Sequence, residues 1–300
     1  MSLTVHDYHL ANKFVSIFVF IMGTIGAIGN LILFISILRS QQLRSICAIL
    51  VAIQAFVEII YPASFFSLVW VSYAEVETTR RRCLWYQIVP LTAANISISI
   101  MPIVALDRYI SLRMPTWYKG LNKTKFICVA MTFPIGFDIV STYLSFTSTT
   151  DAKVVCRLPD GMTGLAIMFW IGSQVVISLV VLMLYMLVRR ELRKMSFHSK
   201  DVTAATNKSL QMIFIIYVCG YASFAVINGI NMFVEDTYLF FIIGSISSTC
   251  ALLNSTSPVF VFYRNSKLYR QEIRETLRIL TRRKKANVIK VKSATSVSLR

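Results

Sequence analysis

The chain has 300 residues, of which 56% are hydrophobic and only 15% charged, a balance too apolar for a soluble domain with a wetted exterior. Its formal net charge of +17 invites comparison with nucleic-acid binders. The basic residues, however, sit beside the ends of apolar runs, where anionic lipid or an acidic protein partner is the nearer target, so nucleic acid is excluded as a partner.

A bilayer's hydrocarbon core needs about 20 mostly apolar residues per helix, and seven stretches of the chain meet that length. In chain order they predict spans at about 14–38, 45–73, 84–106, 126–148, 162–188, 209–233 and 238–263. Backbone groups in lipid must bond within their own segment, so each run is expected to be helical. The fold class is an all-α membrane protein, a seven-transmembrane helix bundle. Residues 1–13 are expected to be an extracellular tail, 14–263 one receptor-sized bundle, and 264–300 a cytoplasmic helix and basic tail. The second and fourth runs contain Glu58 and Asp138. A central acidic residue in a span costs roughly 2.5–3.5 kcal/mol, so each should face protein or carry a proton, and the sequence shows no partner for either. Both ligand contact and interhelical bonding remain open for them.

Loop charge sets the orientation. Of the 31 Lys and Arg residues, six (Lys13, Arg80, Arg81, Arg82, Lys153 and Arg157) fall on the N-terminal side, and the other 25 fall on the opposite side. Basic residues collect on the cytoplasmic face, so the N-terminus is expected outside the cell membrane and the C-terminus inside. In that topology only Cys83 and Cys156 are extracellular. They would tie the top of the third span to the second outer loop, in the compartment where disulfides persist. His6, His9 and His198 lie in tail or loop on opposite sides, so no His pair is available for a metal; no metal and no cofactor are expected.

Seven spans alone would also suit a carrier or a membrane enzyme, so local motifs must choose. After the third span the chain reads Asp107-Arg108-Tyr109, then Pro115, then Tyr118, 24 residues beyond Cys83. The first span carries Gly29-Asn30, the first inner loop Leu43-Arg44-Ser45, and the seventh span ends Asn254-Ser255-Thr256-Ser257-Pro258 followed by Tyr263-Arg264-Asn265. This pattern resembles rhodopsin-like G-protein-coupled receptors. It departs from them at Gln54 in place of the sodium-site Asp, at Cys219-Gly220-Tyr221-Ala222 in place of Cys-Trp-x-Pro, and at Ser257 and Val261 in the seventh-span motif. An intact Asp-Arg-Tyr with altered sixth and seventh spans is most similar to the nematode serpentine chemoreceptors of the Srsx class.

The resemblance implies a chemosensory receptor, not an enzyme, that couples an extracellular small-molecule or peptide ligand to a heterotrimeric G protein, with sensory-neuron cilia as a location. A neuropeptide or other small-ligand receptor of the same superfamily is the alternative, and a seven-helix transporter a remote one; no internal repeat of the kind carriers show is visible. By the same resemblance Asp107 holds Arg108 at rest and releases it toward the G protein. Tyr109 completes that motif, Tyr185 hydrogen-bonds Arg108 in the active state, and Pro258 is a hinge. Pro90 and Pro102 also remove backbone bonds within the third span. Asn30 and Asn254 are expected in a polar core. Ligand-facing candidates by alignment are Leu91, Asn95, Phe169, Ser173, Phe224 and Ile227, a mostly apolar lining suited to a small, weakly polar ligand. Ala251 stands where an opsin attaches retinal and Pro90 where amine receptors place an Asp, which excludes both chemistries. Beyond the last span, Tyr269, Ile273, Leu277 and Leu280 recur at helical spacing, with Arg270, Arg274, Arg278 and Arg282 forming a basic stripe. This predicts an interfacial amphipathic helix on anionic lipid at the cytoplasmic face.

Overall fold

The computed structural model describes residues 5–74, 78–154, 156–195, 212, 216, 220, 223–224, 226–231, 233–234 and 237–281. Most of the sixth predicted span and the basic tail beyond residue 281 lie outside the described residues. In chain order the elements are α1 (Val5–Arg39), α2 (Ile46–Ile60), α3 (Ala63–Ala74), β1 (Thr78–Thr79), α4 (Arg80–Arg113), α5 (Pro115–Lys119), α6 (Lys123–Ser148), β2 (Lys153–Val154) and α7 (Gly164–Met195). They continue with a helical segment at 226–231 (α8), then α9 (Thr237–Asn265) and a helix at 267–281 (α10). Among the described residues five helical stretches are long and apolar enough to cross a membrane: Lys13–Arg39, Ile46–Ala74 (α2 and α3 together), Arg80–Arg113, Lys123–Ser148 and Gly164–Lys194.

Local chemistry explains where the helices start and break. Ser45, Thr79 and Asn122 cap α2, α4 and α6, their side-chain oxygens accepting from the backbone N–H three residues on, which supplies a partner to a donor the first helical turn leaves unpaired. Pro115 opens α5, where its missing N–H costs nothing. The second apolar run is two helices rather than one, because Pro62 has no N–H to continue the ladder and the chain turns at Tyr61 and Pro62. Two turn bonds bridge the break, from Ser64 N to Tyr61 O and from Phe65 N to Pro62 O, each 3.0 Å.

Helix α4 is the interior element, packing against α2, α6 and α7, while α1 packs on α2, α3 and α9. The α1–α9 approach depends on glycine. A Cβ at Gly26 would lie 2.5 Å from Thr256 Cγ2, and one at Gly29 would lie 2.6 Å from Val259 Cγ1; small residues let membrane helices come this close. One large apolar cluster fills the half of the bundle nearest Asp107, with Leu33, Leu50, Ile100, Val104, Val181 and Phe262 at its centre. Smaller clusters around Trp170 and Phe65 fill the half nearest Cys83.

Candidate functional site

Three layers of polar groups lie along α4, beginning at its C-terminal end. Asp107 is fully buried, and both of its oxygens are engaged. Arg108 donates from Nε (3.0 Å) and Nη2 (2.6 Å) to Oδ2, and the Tyr118 hydroxyl donates to Oδ1 at 2.7 Å. Tyr118 reaches the carboxylate because α5 folds back immediately after α4, starting at Pro115. Burial, and then the bond to Asp107, hold the Tyr118 phenol above its ordinary range, so it stays a donor. Buried Tyr269 of α10 stacks on Phe262 with ring centroids 4.3 Å apart, and its phenol is likewise pushed up by burial. Ile273, one turn on, is buried as well, whereas Leu277 and Leu280 are exposed. Tyr109 and Tyr185 are half-buried, Tyr185 against the large apolar cluster. The sequence motif contains Tyr118, but its part in holding Asp107 is visible only in three dimensions.

The middle layer supplies what the sequence could not show for Glu58 and Asp138: both have partners. Ser97 donates to buried Glu58. Asn95 donates from Nδ2 to Asp138 Oδ1 at 2.8 Å and accepts at Oδ1 from Trp170 Nε1 at 2.9 Å, so one asparagine joins α4, α6 and α7. Asn30 donates to the Ser255 carbonyl at 2.8 Å, linking α1 to α9. Asn254 is buried, and its side chain lies where a Cβ at Gly220 would have to go. Pro258 is buried inside α9.

The third layer is a cap over the Cys83 end. Cys83 and Cys156 form a disulfide with a Cα–Cα distance of 5.2 Å, and Cys156 holds a left-handed backbone at φ 67°. Strands β1 and β2 pair antiparallel beside it, Thr78 opposite Val154. Arg80 donates from Nη1 to the Met162 carbonyl at 2.8 Å. Buried Gln87 donates to Ser67 Oγ at 2.6 Å and to the Cys156 carbonyl at 3.4 Å. Beneath the cap is a cavity of about 30 Å³, lined by Tyr61, Phe65, Leu158, Trp170, Phe224 and Ala251 among others. That is room for a water molecule rather than an organic ligand. Trp170 and Phe224 meet edge to face across it, ring centroids 5.7 Å apart.

Of the six residues expected to face a ligand, Phe224 alone lines this cavity. Leu91 and Asn95 are fully buried in helix packing. Phe169 packs against Phe137, centroids 6.0 Å apart, Ser173 bonds the Trp170 carbonyl at 2.9 Å, and Ile227 is half-buried. The rest of this small cavity's lining comes from Tyr61, α3, α4, α9, Trp170 and the loop after β2. Trp170 could have been singled out from the sequence, since an indole N–H in an apolar run needs a partner.

The family model of the serpentine type 7TM GPCR chemoreceptor Srsx matches residues 23–277. The chain belongs to that family. An Srsx chain is a multi-pass membrane receptor of the chemosensory, G-protein-coupled-receptor type, not an enzyme. No curated protein gives a significant match. The match runs from α1 through most of α10, so all three polar layers lie inside it. The Asn254 side chain occupies the space where a Cβ at Gly220 would sit.

Proposed function

We propose that this Srsx protein spans the membrane seven times, with its N-terminus outside, and couples binding of a small extracellular ligand to activation of a heterotrimeric G protein. The observation that carries this reading is the placement of two different devices on one uninterrupted helix. Helix α4 holds the disulfide and cap at its start and the Asp107–Arg108–Tyr118 cluster at its end. Its 34 residues measure ~50 Å, enough to join the two faces of a bilayer. The six-to-25 division of basic residues supports a cytoplasmic Arg108 end, and α10 carries exposed Arg274 and Arg278 near that end, which suits a helix beside anionic lipid, while Arg270 donates to the Tyr263 and Arg264 carbonyls.

In the resting arrangement the cavity under the cap is closed by Trp170 and Phe224. A small, weakly polar ligand enters only if these rings separate, and it therefore binds an opened bundle better than a closed one. Opening moves the helix that carries Phe224, loosens its contact with Asn254, and frees Arg108 from Asp107 to meet the G protein, with Tyr185 as its new partner. Moving the population from 1:99 to 99:1 requires about 5.5 kcal/mol of preference for the open state, within reach of a few apolar contacts and one or two hydrogen bonds.

The test compares the native chain with Arg108→Ala in cells, reading second messenger and ligand binding at matched surface expression. Signalling is expected to be lost while binding is kept. Loss of binding along with signalling would assign Arg108 a structural role and overturn the coupling reading. Epitope tags on both termini, probed on intact cells, test the topology; two tags reachable from one face would refute it.

A further inference from the structure

Helix α7 buries one stripe through Trp170, Gln174, Ile177, Val181 and Val188, residues whose spacing keeps them on a single face. Gln174, 0% exposed, is the polar member of that stripe. Among the described residues neither its amide nitrogen nor its amide oxygen has a hydrogen-bond partner. Gln87 is buried to the same degree, yet its nitrogen donates to the Ser64 carbonyl, the Ser67 hydroxyl and the Cys156 carbonyl. An amide buried with no partner forfeits its bonds to water and gains none in return, so Gln174 calls for an occupant.

Its depth in the bundle says which one. Helices α4 and α7 both begin at the cap, where Arg80 bonds the Met162 carbonyl, and both run into the apolar cluster of the Asp107 half. The bond from Trp170 Nε1 to Asn95 Oδ1 at 2.9 Å fixes their relative height. At about 1.5 Å of rise per residue, Gln174 lies ~6 Å beyond Trp170 and Ile98 lies ~4.5 Å beyond Asn95, at nearly the same level. Trp170 and Ile98 both line the small cavity under the cap. Helical side chains lean toward the preceding turn, which for Gln174 is the turn of Trp170. The unpaired amide therefore stands at the depth of the cavity floor, one turn below the ring that meets Phe224. Its polar neighbours are engaged: Asn95 with Trp170 and Asp138, the Ser99 hydroxyl with the Asn95 and Ile96 carbonyls, and the Ser173 hydroxyl with the Trp170 carbonyl.

We propose that Gln174 selects the polar group of the ligand, and that this group is an uncharged donor–acceptor pair such as a primary amide. The inference rests on the reading that a ligand enters when Trp170 and Phe224 separate. A glutamine amide presents an acceptor oxygen beside an NH2 donor. A ligand amide answers both, a ketone answers the nitrogen alone, and a carboxylate would leave the oxygen unpaired.

The test uses the full-length protein in nanodiscs and two probes of matched shape, cyclohexanecarboxamide and cyclohexyl methyl ketone, with dissociation constants read by saturation-transfer NMR. The amide is expected to bind about fivefold tighter than the ketone, the equivalent of one neutral hydrogen bond. Gln174→Met should weaken the amide by roughly 30-fold, the equivalent of two such bonds, and abolish the preference between the probes. The same variant should raise the thermal midpoint of the unliganded protein, because an apolar chain of similar size replaces an unpaired amide. A lowered midpoint would mean that the amide has a partner at rest and would overturn the proposal. Equal affinity of the two probes for the native protein, the result if the amide is merely hydrated, would overturn it too, as would an amide preference that survives in Gln174→Met. Binding as expected without any second-messenger response in cells would leave the site standing and refute the coupling reading instead.

Discussion

Replacing Tyr118 by Phe removes one oxygen and, with it, the 2.7 Å bond to Oδ1 of a fully buried carboxylate. Asp107 keeps Arg108 on Oδ2, so the ion pair survives while half of the carboxylate loses its partner. Hydrogen bonds to charged groups contribute ~1.5–3 kcal/mol, and the half-buried position of Tyr118 favours the lower part of that range. If the bond exists only in the resting arrangement, losing ~1.5 kcal/mol shifts the resting-to-active ratio by about tenfold. A receptor that is about 1% active without ligand would become roughly 10% active. The assay is ligand-free second-messenger output per receptor at the surface, with the thermal midpoint of purified protein measured in parallel. Unchanged basal output together with a lowered thermal midpoint would mean that both states make the bond, refuting the role assigned to it in the switch.

The same phenol sets a pH dependence. Its protonated form is favoured in the folded state, so its contribution is complete below the ordinary Tyr value of about 10 and is lost only as pH rises beyond it. The stability difference between native and Tyr118→Phe protein should therefore stay constant from pH 6 to 9, and a difference that shrinks in that window contradicts the assignment. Asn95→Leu leaves Trp170 Nε1 without its partner and leaves Asp138 only the longer Thr142 bond at 3.5 Å; at an average of about 0.6 kcal/mol per interhelical bond in membranes, it should cost roughly 1 kcal/mol or more, read as a lower thermal midpoint, and no change would show that the bonds are dispensable. Gly26→Val should cost at least about 1–3 kcal/mol by overpacking against Thr256, seen as poor surface expression, whereas the same change at Gly136, where a Cβ meets nothing within 4 Å, should be tolerated. Cys83→Ser opens a loop of 73 residues' separation and should destabilise by about 2–4 kcal/mol; a thermal midpoint equal to the native one would show that the β1–β2 pairing and Gln87 hold the cap alone.

How much of this protein is legible in its residues depends on the range of the interaction concerned. A membrane helix is specified by a count of consecutive apolar residues, because lipid thickness and backbone bonding are local constraints, and five of the seven spans expected from the chain coincide with long apolar helical stretches among the described residues. The Srsx family is legible for a similar reason: an intact Asp107-Arg108-Tyr109 with Pro115 and Tyr118, beside altered motifs at Cys219-Gly220-Tyr221-Ala222 and Ser257-Pro258, is written in contiguous residues. The disulfide needed one further step, since placing the loops outside leaves two cysteines there. The break at Tyr61-Pro62 is local as well, a consequence of the missing Pro62 N–H inside one apolar run of spanning length.

The tertiary structure alone decided the partners of the buried polar groups. Glu58 meets Ser97 and Asp138 meets Asn95 across 39 and 43 residues of chain, and such meetings depend on how each helix is rotated about its axis, which the weak amphipathicity of a span does not specify. The burial of Leu91 and Asn95, and the facing of Tyr61, Phe65 and Trp170 onto the small cavity under the cap, depend on the same rotations. Apolarity commits a segment to lipid, but only the contact between neighbouring helices selects which of its faces meets a partner.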